Sequence, residues 1–320
     1  MFRPLVACCV AALAACSSDI TADGKLRVAL AIGIDGADGS AVASAASAML
    51  HGGAAAVVVI DAHGLAVARR LRASAAPALR VVAVAEAQAP QADETLIVPA
   101  DPAPVAVDLA LLACHGVALP PKVALGLRVV DTANAAAGGV ARLGPGDIGL
   151  AALARQHAEQ LTTKPTTDVV FRVGLVAADG GDGWPLRAHA AARAAAARYP
   201  QLVIEGGVAA GGPVRVAAAL RERLDANVRV LVVALADPQP LAELAARAAE
   251  LRIPIVAIDP SLRAATAACV VGSDPAAVGR ALGAAARAAL PTDAAIALLR
   301  PQGAEAVETA FREALARNPQ

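Results

Sequence analysis

The sequence predicts an α/β protein of two doubly wound, parallel-sheet lobes joined by a hinge. Three observations predict it. From residue 25 onward, apolar runs of strand length alternate with stretches of helical periodicity, the signature of βα units feeding parallel sheets. The apolar runs are Val-, Ile- and Leu-rich with little two-residue alternation, as strands covered on both faces are. And 320 residues, 57% hydrophobic, suffice for two separate cores.

The runs read as strands are 26–32, 55–61, 80–86, 95–98, 125–131, 169–177, 228–235, 254–258, 268–272 and 294–299. The helical stretches are 40–51, 64–74, 104–114, 147–161, 185–198, 213–225, 238–251, 275–289 and 303–317. In 238–251, Leu241, Leu244, Ala248 and Leu251 share one face. Pro185, Pro213 and Pro275 stand near helix starts, where a missing N–H costs little. Residues 132–167 differ: Gly138-Gly139, Gly144-Pro145-Gly146 and the Thr-rich run Thr162 to Thr167 mark a linker with one helical stretch.

Composition narrows the function. Lys+Arg and Asp+Glu both total 28, so the basic excess or stripe of a nucleic-acid binder is missing. Aromatics make up 2% of the chain, which leaves Ala, Val, Leu and Ile to build the cores. No CxxC pair and no Cys/His cluster has metal spacing. The glycines Gly33, Gly36 and Gly39 are spaced GxxGxxG, a weak dinucleotide signal. There is no P-loop, GxSxG elbow or HExxH. The histidines at 51, 63, 115, 157 and 189 are scattered and read as surface or cap residues. Cys114 and Cys269 read as small buried hydrophobes, and Arg69, Arg70 and Arg72 as a solvated helix face. No catalytic residue, metal site or cofactor is expected.

The first sixteen residues read MFRPLVACCVAALAAC. Arg3 supplies a positive start, and the apolar stretch from Leu5 to Ala15 is too short to span a bilayer. Leu13-Ala14-Ala15-Cys16 resembles the lipobox of bacterial lipoproteins. That resemblance implies a signal peptide over 1–16, cleavage before Cys16, and lipidation of its thiol, with 17–24 as a polar tether. Several acyl chains would anchor it stably where one is marginal. An ordinary secretory signal, or an unprocessed hydrophobic start, is the alternative.

A second resemblance covers nearly all of the remaining chain. FRVGLVA at 171–177, Gly183-Trp184-Pro185 with its Ala-rich helix, IPIVAID at 253–259 and VVGSDPAAVGRALGAAA at 270–286 are similar to the first lobe of the ribose/galactose-type periplasmic sugar-binding proteins. AAIALLRPQGAEAVETAFREALA at 294–316 looks like the opening of their second lobe. Its continuation resembles VVVIDAHGLAVARRL at 57–71, RVVAVAE at 80–86 and the closing segment HGVALPPKVALGLRVVDTAN at 115–134. The resemblance therefore implies a type 1 periplasmic-binding fold in circularly permuted order. The second-lobe-like part is 25–100, a closing segment crosses between lobes over 101–134, and 135–167 is the linker. The first-lobe-like part is 168–291, and 292–320 starts the second lobe. Permutation is tolerable because such domains keep their termini on the surface, often close together.

Ligands of open α/β sheets bind beyond the carboxyl ends of the strands. The residues falling there are Asp182 and Trp184 after 169–177, Asp237 after 228–235, Asp259 after 254–258, and Asp61, Glu86 and Asp101 from the other half. Carboxylates accept strong charge-assisted bonds from hydroxyls, and an indole packs on the C–H face of a sugar; the alternatives are a core or hinge role for Trp184 and solvated side chains for Asp61 and Glu86. An Asp before a Pro is equally a turn or helix cap; this alternative stands for Asp237 and is preferred for Asp274. The resemblance matches Trp184 to a stacking aromatic, Asp259 to a hydroxyl acceptor, Asp61 to a family Asp, and Glu86 to the position of another. It also departs from the family: Pro260 and Val307 stand where Arg is expected, Ile60 where Asn is, and Ala100 where Gln is.

The expected function is an extracytoplasmic solute-binding lipoprotein. It would take a small polar ligand, of carbohydrate or polyol type, and present it to a membrane permease or sensor for ABC transport. Membrane attachment would be through the lipid anchor, and no nucleic acid is involved. A ligand-poor sensor or scaffold of the same fold is the first alternative, and a Rossmann-like lipoprotein enzyme the second.

Overall fold

The computed structural model describes residues 27–33, 54–59, 62–74, 80–85, 89–164, 168–178, 183–237, 239–259, 266–289, 295–301 and 304–316. These form two compact α/β units, each with its own sheet. One unit is built from residues 1–99, 127–142 and 275–320, the other from 100–126 and 143–274.

The second unit holds strands β5 (Lys122–Leu125), β8 (Phe171–Ala178), β9 (Leu202–Glu205), β10 (Val230–Leu235), β11 (Ile255–Ile258) and β12 (Cys269–Ser273). They run in the order β5-β12-β11-β10-β8-β9, and every pairing is parallel. Its helices are α2 (Pro102–Cys114), α3 (Pro145–Gln156), α4 (Trp184–Ala196), α5 (Pro213–Asp225) and α6 (Gln239–Glu250). The unbroken apolar runs are explained by the two faces of this sheet. Val173, Leu175, Val230, Val232, Val256 and Val271 join Leu109, Leu111, Ala188 and Ala192 in one cluster. Their neighbours Val176, Leu231, Val233, Ile255 and Val270 join Leu220, Leu224, Leu241 and Leu244 in another. With both faces covered, alternation has no reason to appear.

The first unit holds β1 (Arg27–Gly33), β2 (Ala54–Val59), β3 (Arg80–Val84), β4 (Glu94–Pro99), β6 (Leu127–Asp131), β7 (Val140–Arg142) and β13 (Ala295–Pro301). The sheet order is β1-β13-β2-β3-β4-β6-β7. β1 to β4 and β13 pair in parallel, whereas β6 and β7 are antiparallel additions at one edge. Its helices are α1 (Ala62–Ser74), beside β2 and β3, and α7 (Pro275–Ala289) and α8 (Glu305–Ala316). Val58, Val82, Ile97, Ile296 and Leu298 close one core with Leu282 and Phe311.

The two sheets share one topology. Counting β8 to β12 as strands one to five, the second unit reads 2-1-3-4-5, with β5 added beyond. The first unit reads 2-1-3-4-5 only when the count starts at β13, the last strand, and continues through β1, the first. This is the flavodoxin-like doubly wound order.

Several boundaries depart from those read in the sequence. The single run expected at 125–131 is two strands in two sheets, β5 and β6, divided at Gly126. The 101–134 segment thus splits between the units at that glycine. Within 135–167, the structure adds the edge strand β7 to the expected helix. Helix 275–289 falls with the first unit, not with the 168–291 block, because Gly279 and Gly283 admit the backbone of α8 against it. The edge strand β9 was not anticipated, because four residues are too few to carry a periodic signal. The turn between β6 and β7 depends on Gly139, at φ +83, where a Cβ would lie 2.8 Å from the Val129 carbonyl. The expected helix at 40–51 lies outside the described residues.

Candidate functional site

The best-described rim is the carboxyl edge of the parallel sheet in the second unit. Parallel pairing puts all six strand ends on one side. Adjacent strands lie about 4.8 Å apart, so the residues that end or follow β12, β11 and β10 stand in a row: Ser273, Asp259 and Asp237. The order reverses between β8 and β10, which is the switch point where open α/β sheets form their crevice.

Trp184 opens α4, with Gly183 before it at φ +70 and Pro185 inside the first turn. The indole is half-buried and packs against the Ala- and Val-rich core of the unit. Asp259 follows β11, and its N–H donates to the Val271 carbonyl at 2.9 Å. It is only 5% exposed, one of four buried polar residues among those described. Ser273, at the end of β12, is another; the sequence marks it only as half of the Ser273–Asp274 segment.

Two carboxylates have local partners. Asp237 is exposed, and its Oδ1 accepts the N–H of Gln239 at 2.9 Å at the start of α6. Asp101 is exposed and caps α2, its Oδ1 accepting the Ala103 N–H at 2.9 Å. For Asp237 this is the cap alternative; for Asp101, read in the sequence only as a candidate ligand residue, the cap is a finding of the structure. Cys16, Asp61, Glu86 and Asp182 lie outside the described residues. Along the sequence, Asp61 comes two residues after the end of β2 and Glu86 two residues after the end of β3.

Other titratable groups fall away from this rim. Arg69 and Arg72 are not merely a solvated face. They grip the buried carboxylate of Glu94 at the start of β4, with N–O distances of 2.7 and 3.1 Å. Burial alone would raise the Glu94 pKa. The hydrogen bond from Arg69, the Gln91 N–H and both guanidinium charges outweigh it and hold the group below its ordinary range. Periodicity could not reveal this, since Glu94 is 25 residues from Arg69. His189 on α4 is half-buried: its Nε2 is buried without a hydrogen-bond partner among the described residues. Burial, then the charge of Arg193, lowers its pKa. Cys114 and Cys269 are buried as expected, and burial pushes both thiols up to about 12. The described residues include no group of three His, Cys, Asp or Glu placed to hold a metal ion. No described helix is long and apolar enough to cross a membrane.

Two units of the same doubly wound strand order define a class: an α/β protein of two parallel-sheet-dominated lobes. Comparison with known proteins narrows that class. Residues 173–319 match a family model described as "Periplasmic binding protein domain". The match supports a periplasmic binding protein family, whose members bind solutes, are generally non-enzymatic and work outside the cytoplasm. No curated protein matches the chain. Among solved structures, the iminosuccinate reductase of Paracoccus denitrificans in complex with NAD+ aligns at 14% identity over 66% of this chain and 90% of that one. Its TM-score is 0.14, too low to carry an argument.

Proposed function

We propose that the chain is an exported solute-binding lipoprotein, lipidated at Cys16. It takes a small polar ligand of carbohydrate or polyol type and presents it to a membrane permease or sensor for ABC transport. The observation that carries this reading is the rim of the second unit. There a half-buried tryptophan and a buried aspartate flank the switch point of a sheet inside the matched family segment. Trp184 would pack on the apolar face of the ligand, and Asp259 would accept hydroxyl hydrogens. Asp182, in the segment after β8, would add an acceptor on this rim, and Asp61 and Glu86 are proposed acceptors of the first unit. The circular permutation is part of the proposal, supported by the 2-1-3-4-5 order that runs through the chain ends in the first unit.

A second reading, a ligand-poor sensor or scaffold of the same fold, is favoured by Asp101 and Asp237, whose oxygens cap helices. A thermal-shift screen of residues 17–320 separates the two. Sugars, polyols, nucleosides and amino acids are tested against the parent and Trp184→Ala. A ligand at 100-fold its Kd stabilises by about 2.7 kcal/mol, a shift of several degrees. A hit that disappears in the variant supports the transport reading, and silence across the panel rejects it for the sensor. Membrane fractionation of Cys16→Ser tests the anchor: the variant should leave the membrane fraction.

A further inference from the structure

The outermost strand of the second unit, β9, ends in a surface of one-sided composition. The loop from β9 to α5 reads Gly206-Gly207-Val208-Ala209-Ala210-Gly211-Gly212, and α5 opens Pro213-Val214-Arg215. The nine residues from Gly206 to Val214 carry no polar side chain, although solvated turns ordinarily draw on Asn, Asp and Ser. Val208 is 47% exposed and Val214 83%. Leu186, in the first turn of α4 at the same edge of the sheet, is 39% exposed.

The loop is held in place by its backbone. The Ala177 N–H donates to the Gly207 carbonyl at 3.2 Å, and the Ala209 N–H to the Ala177 carbonyl at 2.8 Å, so the chain beyond β9 stays paired with the end of β8. Gly206, at φ +116, permits this approach: a Cβ there would lie 2.4 Å from the Leu175 carbonyl oxygen. From α4, Nη1 of Arg193 donates to the Gly206 carbonyl at 3.5 Å. The charge beside the loop has one sign. Arg187 and Arg193 on α4 and Arg215 on α5 are exposed. No acidic residue occurs between Gly183 and Ile204, or between Gly206 and Arg221. Glu205, which divides those stretches, is held by Arg172 through Nε at 2.5 Å and Nη2 at 2.8 Å. The chain as a whole is neutral, so the excess is local.

We propose that the tip of β9, where Leu186, Val208 and Val214 are flanked by Arg187, Arg193 and Arg215, docks on an anionic phospholipid membrane. The proposal rests on the exported-lipoprotein reading, in which an anchor at Cys16 keeps a bilayer within reach. The apolar side chains enter the headgroup layer and the guanidinium groups meet lipid phosphates. A glycine-rich backbone suits that layer, where water satisfies N–H and C=O groups that hydrocarbon would leave unpaired. Such binding is reversible, as that of a single acyl chain is, so the anchor and not this surface decides membrane fractionation.

The test uses residues 17–320, which lack the anchoring cysteine, so failure of the anchor and failure of this surface are read separately. Vesicles of phosphatidylcholine with about 30% phosphatidylglycerol should carry the protein down on sedimentation, and pure phosphatidylcholine should not. Added salt should release it. An environment-sensitive dye on Val208→Cys should brighten with the anionic vesicles. The same dye on Lys122→Cys, exposed at the start of β5 and so at the opposite edge of the sheet, should not. Cys114 and Cys269 are buried and stay unlabelled. Val214→Asp and Arg215→Gln, both at exposed positions, should each weaken binding about five-fold or more. No binding, equal brightening of the two dyes, or variants that bind like the parent would overturn the proposal. So would a dimer in sedimentation velocity that Val214→Asp abolishes, which would assign the surface to a second copy.

Discussion

Gly283 of α7 stands so close to Ala314 of α8 that a Cβ built on the glycine would lie 2.6 Å from the alanine's own Cβ and 2.8 Å from the Phe311 carbonyl oxygen. One turn earlier, Gly279 meets the Val307 carbonyl and the Ala310 Cβ in the same way. The two helices are in contact at backbone level, and this contact places α7 with the first unit. Gly279→Ala should destabilise that unit by about 1–3 kcal/mol, because the obstacle is backbone that no rotamer change can move. Gly149→Ala, on α3 with nothing within 4 Å, should instead gain about 0.5–1 kcal/mol from helix propensity alone. Urea unfolding of the two variants measures both, and equal effects would refute the packing argument.

The Glu94 cluster makes the first unit acid-sensitive. Its folded pKa lies below the ordinary carboxylate value, so the unfolded chain takes up the proton first as pH falls. The contribution is complete above the unfolded value and is lost as pH drops through the folded one. Glu94→Gln should remove this dependence. It should also cost about 2–3 kcal/mol at neutral pH, part of the cost of an unpaired buried charge being screened by water around the arginines. Urea midpoints at pH 7 and pH 4 for parent and variant decide it.

His189 acts with the same sign at higher pH. Its folded pKa is lowered by burial and by Arg193, and that of His115, edge-on to Phe171, is lowered by burial. The unfolded chain therefore binds protons more readily below the ordinary value of 6.5, and stability falls as pH drops through it. Melting temperatures of parent and His189→Leu between pH 7.5 and pH 5 provide the check. The parent should lose several degrees across that range and the variant distinctly fewer; parallel curves would exclude His189 as a source.

Asp237 and Asp259 should separate cleanly. Asp237→Ala removes a helix-start acceptor and should cost about 0.5–2 kcal/mol of stability, leaving affinity for any ligand found by the screen nearly unchanged. Asp259→Asn should lower that affinity at least ten-fold, since a charged acceptor is worth about 1.5–3 kcal/mol. Titration calorimetry on both variants checks this, and a large affinity loss in Asp237→Ala would restore that residue to the site.

Much of the secondary structure was legible in the chain. Helices 213–225 and 275–289 match the structure residue for residue, because Pro at the start and an amphipathic or small-residue face are local signals. The strands of the parallel sheets were legible for a related reason: burial on both faces leaves unbroken apolar runs. The candidate site was less so. An aspartate at a strand end looks the same whether its oxygens cap a helix, as at 101 and 237, or sit buried at a sheet rim, as at 259.

What the sequence by itself determined is the kind of layers this protein builds, two sets of buried parallel strands and their helices, because hydrophobic periodicity is imposed residue by residue. Only the tertiary structure decided where one apolar run divides between two sheets at Gly126, which unit claims α7, and that Asp147 reaches back to two glycine amides. Those outcomes depend on contacts between residues distant along the chain. The free energy of such contacts belongs to pairs of residues, and a pattern read along a single strand or helix carries no record of the partner.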